Sequence, residues 1–291
     1  MFKGSYVALA TPFTANDSID FDTFGELVNW QISNGTHGLV PCGTTGETPV
    51  LSHEEHMALI AQCVKVSAGR VPVIAGAGSN STRHALHLAQ EAQKAGADAI
   101  LTVVPYYNKP CQEGIYRHFK FIHDNTDIPL VLYNVPGRTV ASLNVDTVCR
   151  LAQLPRVHGI KDASPDLSRP ATMRRDLGSD FALLSGEDAT VGAYLGQGGD
   201  GCISVTANAV PEICSALHCA WQNQESEAYY QKIQSLMALH DLMFSAPNPA
   251  PVKYALYRRG IFKNFDVRLP LVNIGKDLQA RIDRALEELE L

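Results

Sequence analysis

No stretch of this 291-residue sequence is apolar for long enough to cross a bilayer. Its first residues, MFKGSYVALATPF, hold one lysine and a short apolar run. They lack the long apolar region and small-residue cleavage site of a secretory signal. There is no CxxC pair. The seven cysteines, Cys42, Cys63, Cys111, Cys149, Cys202, Cys214 and Cys219, are scattered and odd in number. That pattern excludes a disulfide framework or zinc ribbon and points to free thiols in a reducing cytoplasm. Basic blocks and acidic tails are absent and the net charge is -6, which sets nucleic-acid binding aside. Neither GxxxxGK[ST] nor GxSxG occurs, which removes P-loop and serine-hydrolase chemistry.

What is present is a large apolar fraction, 45%, with 19% charged residues. It is organised as eight short apolar runs: YVALATPF, GLVPCG, VPVIAGAG, AILTVVPYY, LVLYNVP, VHGIKDAS, ALLSGED and GCISVTA. Most are continuously apolar rather than alternating, as strands buried on both faces are. Segments of helical period lie between them. FDTFGELVNWQISNG carries Phe21, Phe24, Leu27, Val28 and Ile32 on one face and stops at Gly35. In LSHEEHMALIAQCVKVSAG, Ser52 and Glu55 form a capping box that predicts a helix from His53. Eight β-then-α units predict a (β/α)8 barrel over residues 1–224, a doubly wound sheet being the runner-up. Residues 225–291 predict a helical appendage of three helices, with the Pro-rich break SAPNPAPVK after the first.

Two tempting motifs fail on context. GQGGDG, residues 196–201, matches GxGxxG but closes a helix and precedes a strand, the reverse of a dinucleotide site. His53 with His56, and His84 with His87, have i, i+3 spacing. Neither pair sits at a strand end, so surface or interface histidines are the plainer reading than zinc ligands.

Barrel enzymes work at the carboxyl ends of their strands. The polar residues there are Thr44 and Thr45, Tyr106 and Tyr107, Tyr133 and Asn134, Lys161, and Gly186 with Glu187. Lys161 stands out, because a lysine in an apolar strand is rare unless paired or used. Burial would favour its neutral amine, the nucleophilic form. Asp162, the next residue, points to the opposite face of the strand and cannot easily neutralise it. Tyr133 on the neighbouring strand is placed to move protons. The alternative is a structural lysine that pairs with Asp162 or snorkels to the rim. GTTGE, residues 43–47, offers backbone N–H groups and two hydroxyls for a carboxylate, or is an ordinary βα turn. Arg138, in NVPGRT, is solvated or holds a second acid group bidentately.

The segments GTTGETPVLSHEE, VVPYYNKP, YNVPGRT and GIKDAS, in this order and spacing, resemble the pyruvate-dependent class I aldolase and N-acetylneuraminate lyase family. The resemblance runs from GSYVALATPF through PAPVKYAL. It implies a (β/α)8 barrel with a C-terminal helical domain, usually a homotetramer built as a dimer of dimers, in the cytoplasm. It also implies a lyase that uses neither metal nor organic cofactor. Lys161 would form a Schiff base with pyruvate. Tyr133 would shuttle protons, aided by Thr44 and by Tyr107 reaching into a neighbouring subunit's site. Thr45 would hold the pyruvate carboxylate, and Gly186 and the Ile203 backbone would line the pocket. Arg138 favours the branch that condenses pyruvate with L-aspartate 4-semialdehyde in lysine and diaminopimelate biosynthesis. The alternatives are another pyruvate-dependent aldolase or dehydratase acting on a sugar acid, or a non-catalytic barrel that binds a small acid.

A lysine effector site in this family would correspond to Thr48, Pro49, His53, His56, Asn80, His84 and Tyr106. His84 departs, since an acidic residue usually faces the effector's ammonium there. Weak or absent inhibition by lysine is therefore expected.

Overall fold

The computed structural model describes residues 2–291. All eight apolar runs form strands: β1 (Gly4–Ala8), β2 (Gly38–Val40), β3 (Ile74–Gly76), β4 (Ala99–Val103), β5 (Leu130–Asn134), β6 (Val157–Asp162), β7 (Ala182–Ser185) and β8 (Gly201–Ser204). They are parallel and bonded in the order β2-β1-β8-β7-β6-β5-β4-β3, the nearly closed ring of a (β/α)8 barrel. The helices are α1 (Phe21–Ser33), α2 (His53–Ser67), α3 (Thr82–Lys94), α4 (Gln112–Asp124), α5 (Pro136–Thr139), α6 (Val145–Ala152), α7 (Arg169–Leu177), α8 (Val191–Gly196), α9 (Pro211–Gln222), α10 (Ser226–Met243), α11 (Ala250–Arg258) and α12 (Lys276–Glu287). Among the described residues, no helix is long and apolar enough to cross a membrane.

Each strand ends before its apolar run does. GLVPCG stops pairing at Val40, and AILTVVPYY at Val103. Cys42 (φ 57°) and Tyr107 (φ 71°) adopt left-handed backbone, which no strand can continue. The carboxyl ends of those runs are thus rim loops, bent to carry side chains rather than to extend the sheet.

Two compact units divide the chain. One takes it up to Gly4 and from Pro72 to Ile203, the other Ser5–Val71 and Ser204–Leu291. In the first, β5 is buried along its whole length and α3 buries Ala85, Leu88, Ala89 and Ala92, one stripe of helical period. Ser81 caps α3, its hydroxyl accepting from the His84 N–H. The β5–β6 ladder slips by one residue: Leu130 pairs with Val157, but Val131 pairs with Gly159. An unbroken ladder would set Tyr133 opposite Ile160; the slip sets it opposite Lys161. Gly196 ends α8 and Gly201 opens β8, so GQGGDG is an αβ turn.

In the second unit, α1 buries Phe24, Leu27 and Val28 as its period predicts. Phe21 is exposed and Ile32 half-buried. Gln31 takes the buried place instead, its Nε2 donating to the Ala207 and Asn208 carbonyls at 2.9 and 3.1 Å. Those carbonyls need a donor that isoleucine lacks. The Ser52–Glu55 capping box forms and α2 begins at His53.

Candidate active site

Lys161 lies near the carboxyl end of β6 and is 6% exposed. In register it pairs with Tyr133 on β5 and Leu184 on β7. Paired residues of a parallel ladder share a face, so the Tyr133 ring stands beside the lysine. Nζ sits 4.5 Å from the ring centroid. Among the described residues, no carboxylate lies within ion-pair distance of this amine.

Asp162 is committed on the other face. Its Oδ1 accepts from Asn134 Nδ2 (2.9 Å) and the Ser164 N–H (3.1 Å), and its Oδ2 from Arg169 Nε (2.8 Å). Pairing with Asp162, one of the two structural alternatives for Lys161, is thereby removed. Asn134 continues the lattice, its Oδ1 accepting from the Leu143 N–H at 2.9 Å. These buried bonds stiffen the ends of β5 and β6, where Tyr133 and Lys161 stand.

Gly186 closes the lysine from the β7 side. A Cβ there would come within 3.0 Å of Lys161 Cε and 2.8 Å of Ala163 Cβ. Only glycine lets the lysine stem lie where it does. Ile203, on β8, is fully buried. Glu187 is half-buried beside this group; burial first, then the negative charge of Asp188, pushes its carboxyl above the ordinary value, while Lys161 opposes the shift. The sequence marks Glu187 only as a polar strand-end residue, since its neighbours come from folding. Arg138 is exposed on α5, and among the described residues its guanidinium has no partner.

In the second unit, GTTGE forms a 3-10 turn over Thr44–Gly46 that ends at Glu47. Thr45 is buried, and its Oγ1 accepts from Asn248 Nδ2 at 3.0 Å. The Thr45 proton is therefore free to be donated elsewhere. Thr11 Oγ1 donates to the Gly46 carbonyl at 2.8 Å and anchors the back of the turn. Thr44 is half-buried.

The dihydrodipicolinate synthetase (DHDPS) family model matches residues 1–289. The chain belongs to this family. A 4-hydroxy-tetrahydrodipicolinate synthase of Parvibaculum lavamentivorans is 53% identical over 291 residues, covering 100% of this chain and 99% of the relative. Among solved structures, the chloride-inhibited dihydrodipicolinate synthase of Acinetobacter baumannii complexed with pyruvate is 40% identical with a TM-score of 0.96. The match covers 100% of this chain and 99% of that one. DHDPS from Cyanidioschyzon merolae with lysine bound is 34% identical, with a TM-score of 0.96, covering 100% and 99%.

The remaining residues singled out from the DHDPS resemblance sit as follows. Tyr107 is 88% exposed and Tyr106 partly so. His84 is exposed in the first turn of α3, and the nearby Asn80 carbonyl accepts from Asn108 Nδ2 at 3.0 Å. His53 is half-buried. His56 is buried rather than a surface histidine, because it shares the inner face of α2 with Leu59, Ile60 and Cys63. One residue escaped sequence reasoning entirely. Lys253, inside PAPVKYAL, is fully buried and bonded to Glu47. An isolated lysine on a predicted amphipathic helix gives no sign of this.

Proposed function

We propose that this chain condenses pyruvate with L-aspartate 4-semialdehyde through a Schiff base on Lys161, the reaction named for its synthase relatives, in lysine and diaminopimelate biosynthesis. The observation that carries the reading is Lys161 itself: buried, free of a carboxylate partner and beside the Tyr133 ring. The amine attacks the pyruvate ketone, and loss of water gives the imine. Once protonated, the imine withdraws electrons, so C3 of pyruvate gives up a proton and an enamine forms. The enamine carbon bonds to the aldehyde carbon, whose oxygen takes a proton. The amine of the semialdehyde then adds to the imine carbon and displaces Lys161, closing the ring. One water leaves overall.

Tyr133 moves these protons, with Thr44 and Tyr107 completing the relay. Thr45 and the turn amides hold the pyruvate carboxylate, and Arg138 meets the carboxylate of the semialdehyde. Gly186 and the Ile203 backbone line the pocket. The relatives' names and the strand-end position of Lys161 support this assignment. We place the protein in the cytoplasm, in keeping with its free thiols. We also propose a homotetramer, a dimer of dimers, in which the exposed Tyr107 ring finds its partner. A lysine effector site would draw on His53, His56, Asn80, His84 and Tyr106. With His84 in place of a carboxylate, lysine inhibits weakly or not at all, and strong inhibition at neutral pH would contradict this.

The experiment is borohydride reduction in the presence of pyruvate, followed by mass spectrometry. A stable adduct on Lys161 is expected. Folded protein without one would remove the mechanism.

A further inference from the structure

Lys253 has no part in the chemistry above, yet its side chain and that of Glu47 are both 0% exposed. Nζ donates to Glu47 Oε1 at 2.8 Å and lies 4.1 Å from the Phe13 ring centroid. Glu47 Oε2 accepts from the Arg268 backbone N–H at 2.9 Å, and the Arg268 guanidinium is 4.4 Å from the same ring. Both oxygens of Glu47 are thus bonded to groups brought in by the C-terminal segment.

Glu47 occupies a pivotal place. It ends the Thr44–Gly46 turn and caps the next, Thr48–Val50, with φ 57° and ψ 31°. A residue with a Cβ holds this left-handed conformation only where its surroundings over-determine it. Two directed bonds on a buried carboxylate do so. An ion pair this deeply buried adds little net stability over an apolar pair of the same volume. What it supplies is direction. Asn248, five residues before Lys253, makes the second tie, to Thr45 Oγ1.

We propose that Lys253 is a positioning residue: acting through Glu47, it fixes the 43–47 turn in the shape that presents Thr44 and Thr45 to the carboxylate of the keto acid. This rests on the reading of that turn given under the proposed function. The lysine touches no substrate.

The test measures how Lys161 labelling by borohydride depends on pyruvate concentration, with the unfolding midpoint measured beside it. In Lys253→Met the half-saturating pyruvate concentration should rise at least about tenfold, the scale of one charge-assisted hydrogen bond. Labelling at saturating pyruvate should still reach the wild-type yield. Because this substitution strands a buried carboxylate, the paired variant Glu47→Gln with Lys253→Met is measured too. It buries no charge and should melt near the wild type, yet its half-saturation should stay raised at least about threefold. Wild-type half-saturation in either folded variant overturns the proposal. If neither variant folds, the pair serves stability and the proposal falls. If the wild type itself takes no label, the keto-acid reading fails first and this inference with it.

Discussion

At the scale of single residues, space around Lys161 matters as much as its chemistry. The methyl of Gly186→Ala would have to share room with Lys161 Cε and Ala163 Cβ. Ala163 has no torsion with which to yield, so the lysine must leave the position in which it stands beside Tyr133. Overpacking of this kind costs about 1–3 kcal/mol, so imine formation should slow roughly ten- to a hundredfold in a variant that still folds. Rapid-quench borohydride trapping reads that rate; an unchanged rate would mean this packing does not aim the amine. The two buried lysines also show what a sequence discloses. Lys161 is conspicuous because it interrupts an apolar strand. Lys253 is silent, because its burial depends on Phe13, Glu47 and Arg268, all distant along the chain.

At the scale of elements, α3 and α4 are joined by a partly buried contact between Thr82 Oγ1 and His118 Nδ1, 2.9 Å apart. Burial lowers the His118 pKa to about 4 from an ordinary 6.5. Between those values the unfolded chain binds a proton that the folded chain refuses. Stability therefore falls as pH drops from 6.5 toward 4, by roughly 3 kcal/mol from this group. Urea unfolding at pH 7 and pH 4.5 should show that loss in the wild type, and a smaller one in His118→Gln. An identical acid loss in both would clear His118 of the effect. The elements themselves were legible. All eight strands, the capping box and the three tail helices answer to local pattern. Strand ends were not, because the apolar residues beyond them serve the rim. Nor was the β5–β6 slip, since nothing in LVLYN or VHGIKD states how one strand aligns against another.

At the scale of the whole molecule, Tyr107 is the most exposed large apolar side chain among the described residues. It is 88% exposed and held in left-handed backbone. If copies of the chain share it, as proposed, two damaged chains should repair each other. Tyr107→Phe should lose about a hundredfold in turnover, the usual worth of a proton-transfer group. Lys161→Ala should be inactive. Hybrids refolded from a mixture of the two would contain some sites with an intact Lys161 and an intact Tyr107, and activity should exceed the sum of the parts. No gain in verified mixed oligomers would place Tyr107 outside the relay or within its own chain's site.

The sequence by itself determined the barrel, the start of α2 at its capping box, the three tail helices and the identity of the strand-end lysine. Each is written in local signals: apolar runs, helical period, capping residues, and a charged side chain where apolar ones belong. Only the tertiary structure decided that Tyr133 faces Lys161, that Asp162 is spent on Asn134 and Arg169, and that Glu47 rests on a buried lysine. Those facts depend on register and on burial by residues far apart in the chain. Neither is a property of any one segment before the chain has folded.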